Sequence, residues 1–139
     1  MTVSTIRILI IIVLIAHGAG HYMGILSSLG VKLSHKSSGD SWLLTGVIGE
    51  TPARLLGLII WSLAFVGFIT GGMGFAGWLI PGSWWPTLTG IAAVLSLFGL
   101  IFFWNGFAFI FNKISAIIVN VAVLISVLGN GWMKPYQGN

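Results

Sequence analysis

Charge is what this sequence has least of. Six Lys or Arg and two Asp or Glu stand among 139 residues, 6% of the chain, where a soluble domain carries roughly a quarter. So few charges cannot cover a water-facing surface, and a soluble globular domain is excluded. Intrinsic disorder is excluded for the opposite reason, because it requires low hydrophobicity, whereas 57% of these residues are hydrophobic and mean hydropathy is +1.06. Cysteine is absent, which removes disulfide frameworks, thiolate metal sites and cysteine nucleophiles. Two carboxylates in the whole chain are a poor basis for hydrolytic chemistry. Period-two alternation is missing, which excludes a membrane β-barrel. No Walker loop, dinucleotide fingerprint or nucleophile elbow is present. The absence of an internal repeat leaves an inverted-repeat transporter without support.

What the chain does have is long apolar runs. The gaps between successive cations measure 24 residues from Arg7 to Lys32, 58 from Arg54 to Lys113 and 20 from Lys113 to Lys134. A helix needs about 20 residues to cross a hydrocarbon core of about 30 Å. The outer gaps each hold one span. The middle gap holds two, punctuated by Ile80-Pro81-Gly82-Ser83-Trp84-Trp85-Pro86. The fold class expected is all-α, an integral membrane bundle of four transmembrane helices in one domain.

The helices are expected over about 6–29, 54–80, 86–111 and 113–129, with a polar loop over 30–53. The first span is too long and apolar for a secretory leader, and a single Arg precedes it, so it is expected to stay with the chain. Thr51 is a suitable N-cap for the second helix, with Pro52 at its first position. Gly71-Gly72-Met73-Gly74 is expected to bend that helix or end it early. Gly129-Asn130-Gly131 closes the fourth. Trp42, Trp78, Trp84, Trp85, Trp104 and Trp132 fall near predicted ends, as an interfacial aromatic belt requires, while Trp61 lies deeper. Lys32, Lys36, Arg54 and Lys113 against Arg7 and Lys134 place both termini outside by the positive-inside rule. The net charge of +4 is scattered over loops, a pattern suited to anionic headgroups rather than to nucleic acid.

Ionisable residues at bilayer depth are costly and mark candidate sites. His17 and His21 stand four residues apart, hence on one helix face. Such a pair suits one divalent metal ion if other elements complete the set, and Glu50, at the same end of the bundle, is the candidate third ligand. His35, Asp40 and Met23 are further options. Two rings approaching from one side cannot clamp a haem, but one could serve as a single axial ligand to haem or a pigment. The competing expectation is structural: neutral imidazoles hydrogen-bonded to neighbouring helices. Ala16, Gly20 and Gly24 form a small-residue ridge for close helix packing, repeated by Gly67 and Gly71. On the fourth helix Asn112, Ser115, Ala116, Val119, Val123, Ser126 and Asn130 share one face, expected to point into the bundle or at a partner. Asn105 and Asn120 are expected to be buried amides that bond across helices or line a cavity. Glu50 and Arg54 form an i,i+4 pair.

In length, four spans, an extended first loop, and Glu50-Thr51-Pro52-Ala53-Arg54 leading into a glycine-rich second helix, the chain resembles the DoxX-like group of small prokaryotic membrane proteins. The resemblance implies a compact four-helix bundle in a prokaryotic cell membrane, in some cases an accessory subunit of quinone-linked oxidoreductases. The His17–His21 segment lies outside the resemblance, and no catalytic residue is carried over. Three functional expectations follow. The first is a non-enzymatic accessory or scaffold subunit, in contact with the bilayer and with partner subunits or further copies of itself. The second is a redox subunit binding haem, pigment or metal through His17 and His21. The third is a small channel or carrier, lined by the polar face of the fourth helix and a break at Gly71–Gly74.

Overall fold

A backbone in lipid must satisfy its own polar groups, and for long apolar runs the helix does so within each segment. The computed structural model, which describes residues 3–129, is accordingly built of helices, with no strand among the described residues. Helices α1 (Val3–Gly20) and α2 (Tyr22–Ser28) make the first span, interrupted only at His21. A short α3 (Leu44–Ile48) lies in the polar loop. The other spans are α4 (Glu50–Ala76), α5 (Trp85–Phe102) and α6 (Ile110–Leu128). Among the described residues four helices are long and apolar enough to cross a membrane, and the chain is a multi-pass membrane protein. Even α6, at 19 residues, is about 28 Å long.

The glycine run in α4 does not break it. Gly71, Gly72 and Gly74 are buried inside an uninterrupted helix. Cβ atoms added at Gly71 and Gly72 would strike Thr89 and Ile15 respectively. Their smallness brings α5 and α1 close to α4, the usual means of association where lipid supplies no hydrophobic drive. The stop comes at Gly77, in the left-handed region at φ 73°. There the Gly77 N–H donates to the Gly74 carbonyl and the Trp78 N–H to the Met73 carbonyl, a Schellman cap. At its other end α4 opens at Glu50, so Thr51 sits in the first turn rather than at the cap. Gly49, at φ 89°, makes the turn out of α3.

The third span also ends before its expected limit. It stops at Phe102, and a single 3-10 turn over Trp104–Gly106 leads into α6. Three bonds from outside the third span seal this end. The Trp42 indole N–H donates to the Ile101 carbonyl at 2.7 Å, and Ser27 Oγ donates to the Gly106 carbonyl at 2.8 Å. The Ser38 N–H reaches the Asn105 carbonyl. The first loop is thus stitched to the third at one end of the bundle.

Two aromatic clusters fill the interior. Leu14, Phe68, Phe75, Trp85 and Val123 form one; Ile60, Trp61, Leu100, Phe103 and Phe107 form the other. Trp85 therefore belongs to the core and not to the interfacial belt, where Trp42, Trp78, Trp84 and Trp104 are exposed. Trp61 is enclosed between two glycines: an added Cβ at Gly24 or at Gly99 would lie 2.6 Å from its indole. Helix α4 is the hub, packed against α1, α2, α3 and α5, whereas α6 rests mainly on α5 and approaches α1 loosely. Asn130, Gly131, Trp132 and Lys134, named above, lie outside the described residues.

Candidate functional site

His17 and His21 lie against aromatic residues of both clusters. His17 contacts Phe68 edge-on at 4.5 Å between centroids, and His21 lies 5.7 Å from Trp61. His17 and Asn120 each sit about one residue from the middle of their spans, so the site is at hydrocarbon depth.

The local backbone explains how His21 is held. Its N–H bonds to the Gly18 carbonyl, one residue short of the α-helical partner. The His17 carbonyl takes a bond from His21 Nδ1 at 2.9 Å instead. A side chain thus stands in at one rung of the helix ladder, which is why α1 and α2 are separated at this residue.

With neutral rings, the other bonds then have forced directions. A carbonyl only accepts, so the His21 proton is on Nδ1 and its Nε2 must accept. The group facing Nε2 is Ser96 Oγ at 2.6 Å, and Ser96 therefore donates to it. Having used its single proton, Ser96 accepts from Asn120 Nδ2 at 2.7 Å. Asn120 Oδ1 is left to accept from His17 Nε2 at 3.0 Å. The chain His17 → Asn120 → Ser96 → His21 → His17 carbonyl closes on itself and joins the first, third and fourth spans. Asn120, Ser96 and His21 are almost completely buried. Three of the four imidazole nitrogens are occupied. The fourth, His17 Nδ1, makes no hydrogen bond, and it is not among the enclosed, partnerless polar atoms, which are Trp61 Nε1, Trp85 Nε1 and Ser126 Oγ.

Glu50 does not join the histidines. Arg54 gathers both carboxylates of the chain, Glu50 through Nη2 at 2.9 Å and Asp40 through Nε at 2.9 Å. This pairing ties the first loop to α4 at the bundle's end. Among the described residues no three of His, Asp or Glu gather as a metal site. His35 is exposed and lies in a loop cleft with Lys32 and Lys36.

The other candidates separate into packing and lining residues. Gly24 packs on Trp61, but an added Cβ at Gly20 meets nothing within 4 Å. The small-residue ridge is therefore not one surface: Gly18 and Gly24 face α4, while Ala16 and Gly20 line a groove of about 220 Å³ between the first and fourth spans, beside His17. Asn112 stands at the edge of this groove and donates from Nδ2 to Met23 Sδ at 3.2 Å. On α6 the buried residues are Lys113, Ala116, Asn120, Val123 and Ser126, so the expected face is turned slightly toward Asn120. Lys113 was not anticipated; its Nζ lies 4.7 Å from the Trp104 ring centre, a cation–π contact. Asn105 is exposed rather than buried, because the helix has already ended. It lines a cleft of about 580 Å³ with Trp42, Trp104 and Asp40. Sequence reasoning missed Ser96, since nothing distinguishes one serine in an apolar run until Asn120 and His21 are seen beside it.

No protein-family model, curated protein or solved structure matches the chain.

Proposed function

We propose that the protein is a non-catalytic accessory or scaffold subunit of a larger membrane assembly, the role that its resemblance to DoxX-like proteins implies. The observation that carries this reading is the closed hydrogen-bond chain through His17, Asn120, Ser96 and His21. Its members hold three spans in register, and the two carboxylates of the chain are paired with Arg54 at the rim. A general acid–base pair or a nucleophile with its base needs groups free to exchange protons with a substrate, and this arrangement uses those groups for cohesion. The extramembrane portion is small and stitched down, which leaves the lipid-facing helices as the contact area for partners. Purification from native membranes in a mild detergent, followed by native mass spectrometry, tests the proposal. A fixed stoichiometry with another chain, or with further copies, is expected. A monodisperse monomer that carries no other chain overturns it.

A second reading rests on His17 Nδ1, the one nitrogen of the His17–His21 pair outside the chain of bonds. It could give a single bond to haem, a pigment or a divalent metal, whereas His21 could do so only by breaking a bond it already makes. Protein from native membranes would then show a Soret or pigment absorption, or bound metal, that His17→Ala loses. A colourless, metal-free preparation overturns this second reading.

A further inference from the structure

The seam between the first and fourth spans is loosely packed, with far less contact than the first span makes with the second. It holds two cavities. One, of about 220 Å³, lies at Ala16, His17, Gly20, Met23, Asn112 and Ser115. The other, of about 270 Å³, lies below it among Leu9, Val13, Ile118 and Ala122. They follow one another along the helices, Ala16 of the first standing one turn from Val13 of the second, and Ser115 one turn from Ile118. From Met23 to Ile6 the seam follows roughly 25 Å of helix. Together the cavities reach the range of roughly 300–1,000 Å³ found for small-molecule sites.

The lining specifies what fits. A transmembrane helix, about 10–12 Å across with its side chains, is too wide for cavities of these volumes, whereas a single hydrocarbon chain is not. The lower cavity presents only aliphatic side chains, so the part of the ligand lying there is apolar. Neither cavity is lined by Asp, Glu, Lys or Arg, and a charged head at this depth would go uncompensated. The upper cavity nevertheless offers polarity. His17 lines it, and its free Nδ1 is an acceptor once Nε2 has donated to Asn120. Across the groove, Asn112 Nδ2 is bonded only to a thioether, a weak acceptor, and would exchange it for an oxygen. The smallest uncharged head that donates to one group and accepts from the other is a hydroxyl.

We infer that the seam binds one uncharged, single-chain lipid alcohol, its hydroxyl on His17 Nδ1 and its chain along Leu9, Val13, Ile118 and Ala122. Gly20 is the residue that keeps the upper cavity open. The inference is independent of whether the protein assembles with other subunits.

The test uses the full chain in phosphatidylcholine nanodiscs with hexadecanol carrying a diazirine in its chain. Photolabelling mapped by mass spectrometry is expected on residues 6–13 and 118–122. The methyl ether of the same probe, which cannot donate, should label at least fivefold less, and so should the corresponding carboxylate. Gly20→Leu fills the cavity without touching the hydrogen-bond chain and should cut labelling at least fivefold with an unaltered unfolding midpoint. The inference is overturned by label spread evenly over the outer faces of all four spans. It is equally overturned by ether or carboxylate labelling that matches the alcohol, or by wild-type labelling of Gly20→Leu.

Discussion

Asn120→Leu is the substitution that bears most directly on the central hydrogen-bond chain. Leucine keeps the heavy-atom count and branching of asparagine, so no cavity is opened, and its bulkier methyls add only to the loss. What is lost is the bond from His17 Nε2 at 3.0 Å and the bond to Ser96 Oγ at 2.7 Å. Interhelical bonds in membrane proteins contribute about 0.6 kcal/mol on average and about 1.7 at most. His17 Nε2 is left without its acceptor in a partly enclosed position, which adds to the loss. The expected destabilisation is about 1–3 kcal/mol. Reversible unfolding by SDS in mixed micelles, followed by helical circular dichroism, measures it. The sharper measurement is a double-mutant cycle with Ser96→Ala. Asn120 and Ser96 share one bond, so the coupling should be about 0.6–1.7 kcal/mol. A coupling below about 0.3 kcal/mol, the scatter of independent sites, would mean that the two residues do not act together, and the directional chain would be refuted.

Three further outcomes are expected. Gly24→Ala places a methyl against the Trp61 indole and should cost about 1–3 kcal/mol by overpacking; combined with Trp61→Phe, at least half should return, and a loss unchanged by Trp61→Phe would contradict the contact. Arg54→Ala should change global stability by less than about 1 kcal/mol, as exposed ion pairs do, yet it releases Asp40 and should speed amide exchange across residues 30–43; unchanged exchange there would show that the pair does not secure the loop. Trp42→Phe removes the donor to the Ile101 carbonyl and should cost about 0.5–1.5 kcal/mol, with faster exchange confined to the end of α5; loss of protection spread over all four spans would refute that assignment.

Four crossings were legible because lipid leaves few alternatives: a run of 20 or more apolar residues must be helical, and scarce charges mark its limits. The limits themselves were less legible, and the reasons are local. Gly71-Gly72-Met73-Gly74 has the composition of a breaker, but glycine inside a membrane helix also serves close packing, and Thr89 and Ile15 occupy the space a side chain would take. The actual stop, Gly77, is a single glycine and differs only in the left-handed backbone it adopts. Asn105-Gly106 carried a usable turn signal, yet it lies within an apolar stretch long enough to read as one helix. Trp85 shows the same ambiguity from the other side. An indole beside a predicted boundary suits the interface, and only the approach of Phe75, at 5.1 Å, places it inside.

For the site, spacing alone put His17 and His21 on one face, and the pairing of Asn120 with a helix across the bundle was within reach of the same argument. What spacing could not decide was which nitrogens remain available. That depends on a backbone detail, the His21 N–H turning to Gly18 and freeing the His17 carbonyl for a ring nitrogen. From that one bond the protons on Ser96, Asn120 and His17 follow, and a single acceptor is left over. Cohesion and ligand binding consequently draw on different atoms of the same residue. Nε2 of His17 faces Asn120 and the bundle, while Nδ1 remains for the groove beside Gly20. Asn120→Leu should therefore lower stability, and Gly20→Leu should leave stability in place while closing the groove. If both substitutions acted on stability alone, the histidine pair would be structural and nothing more.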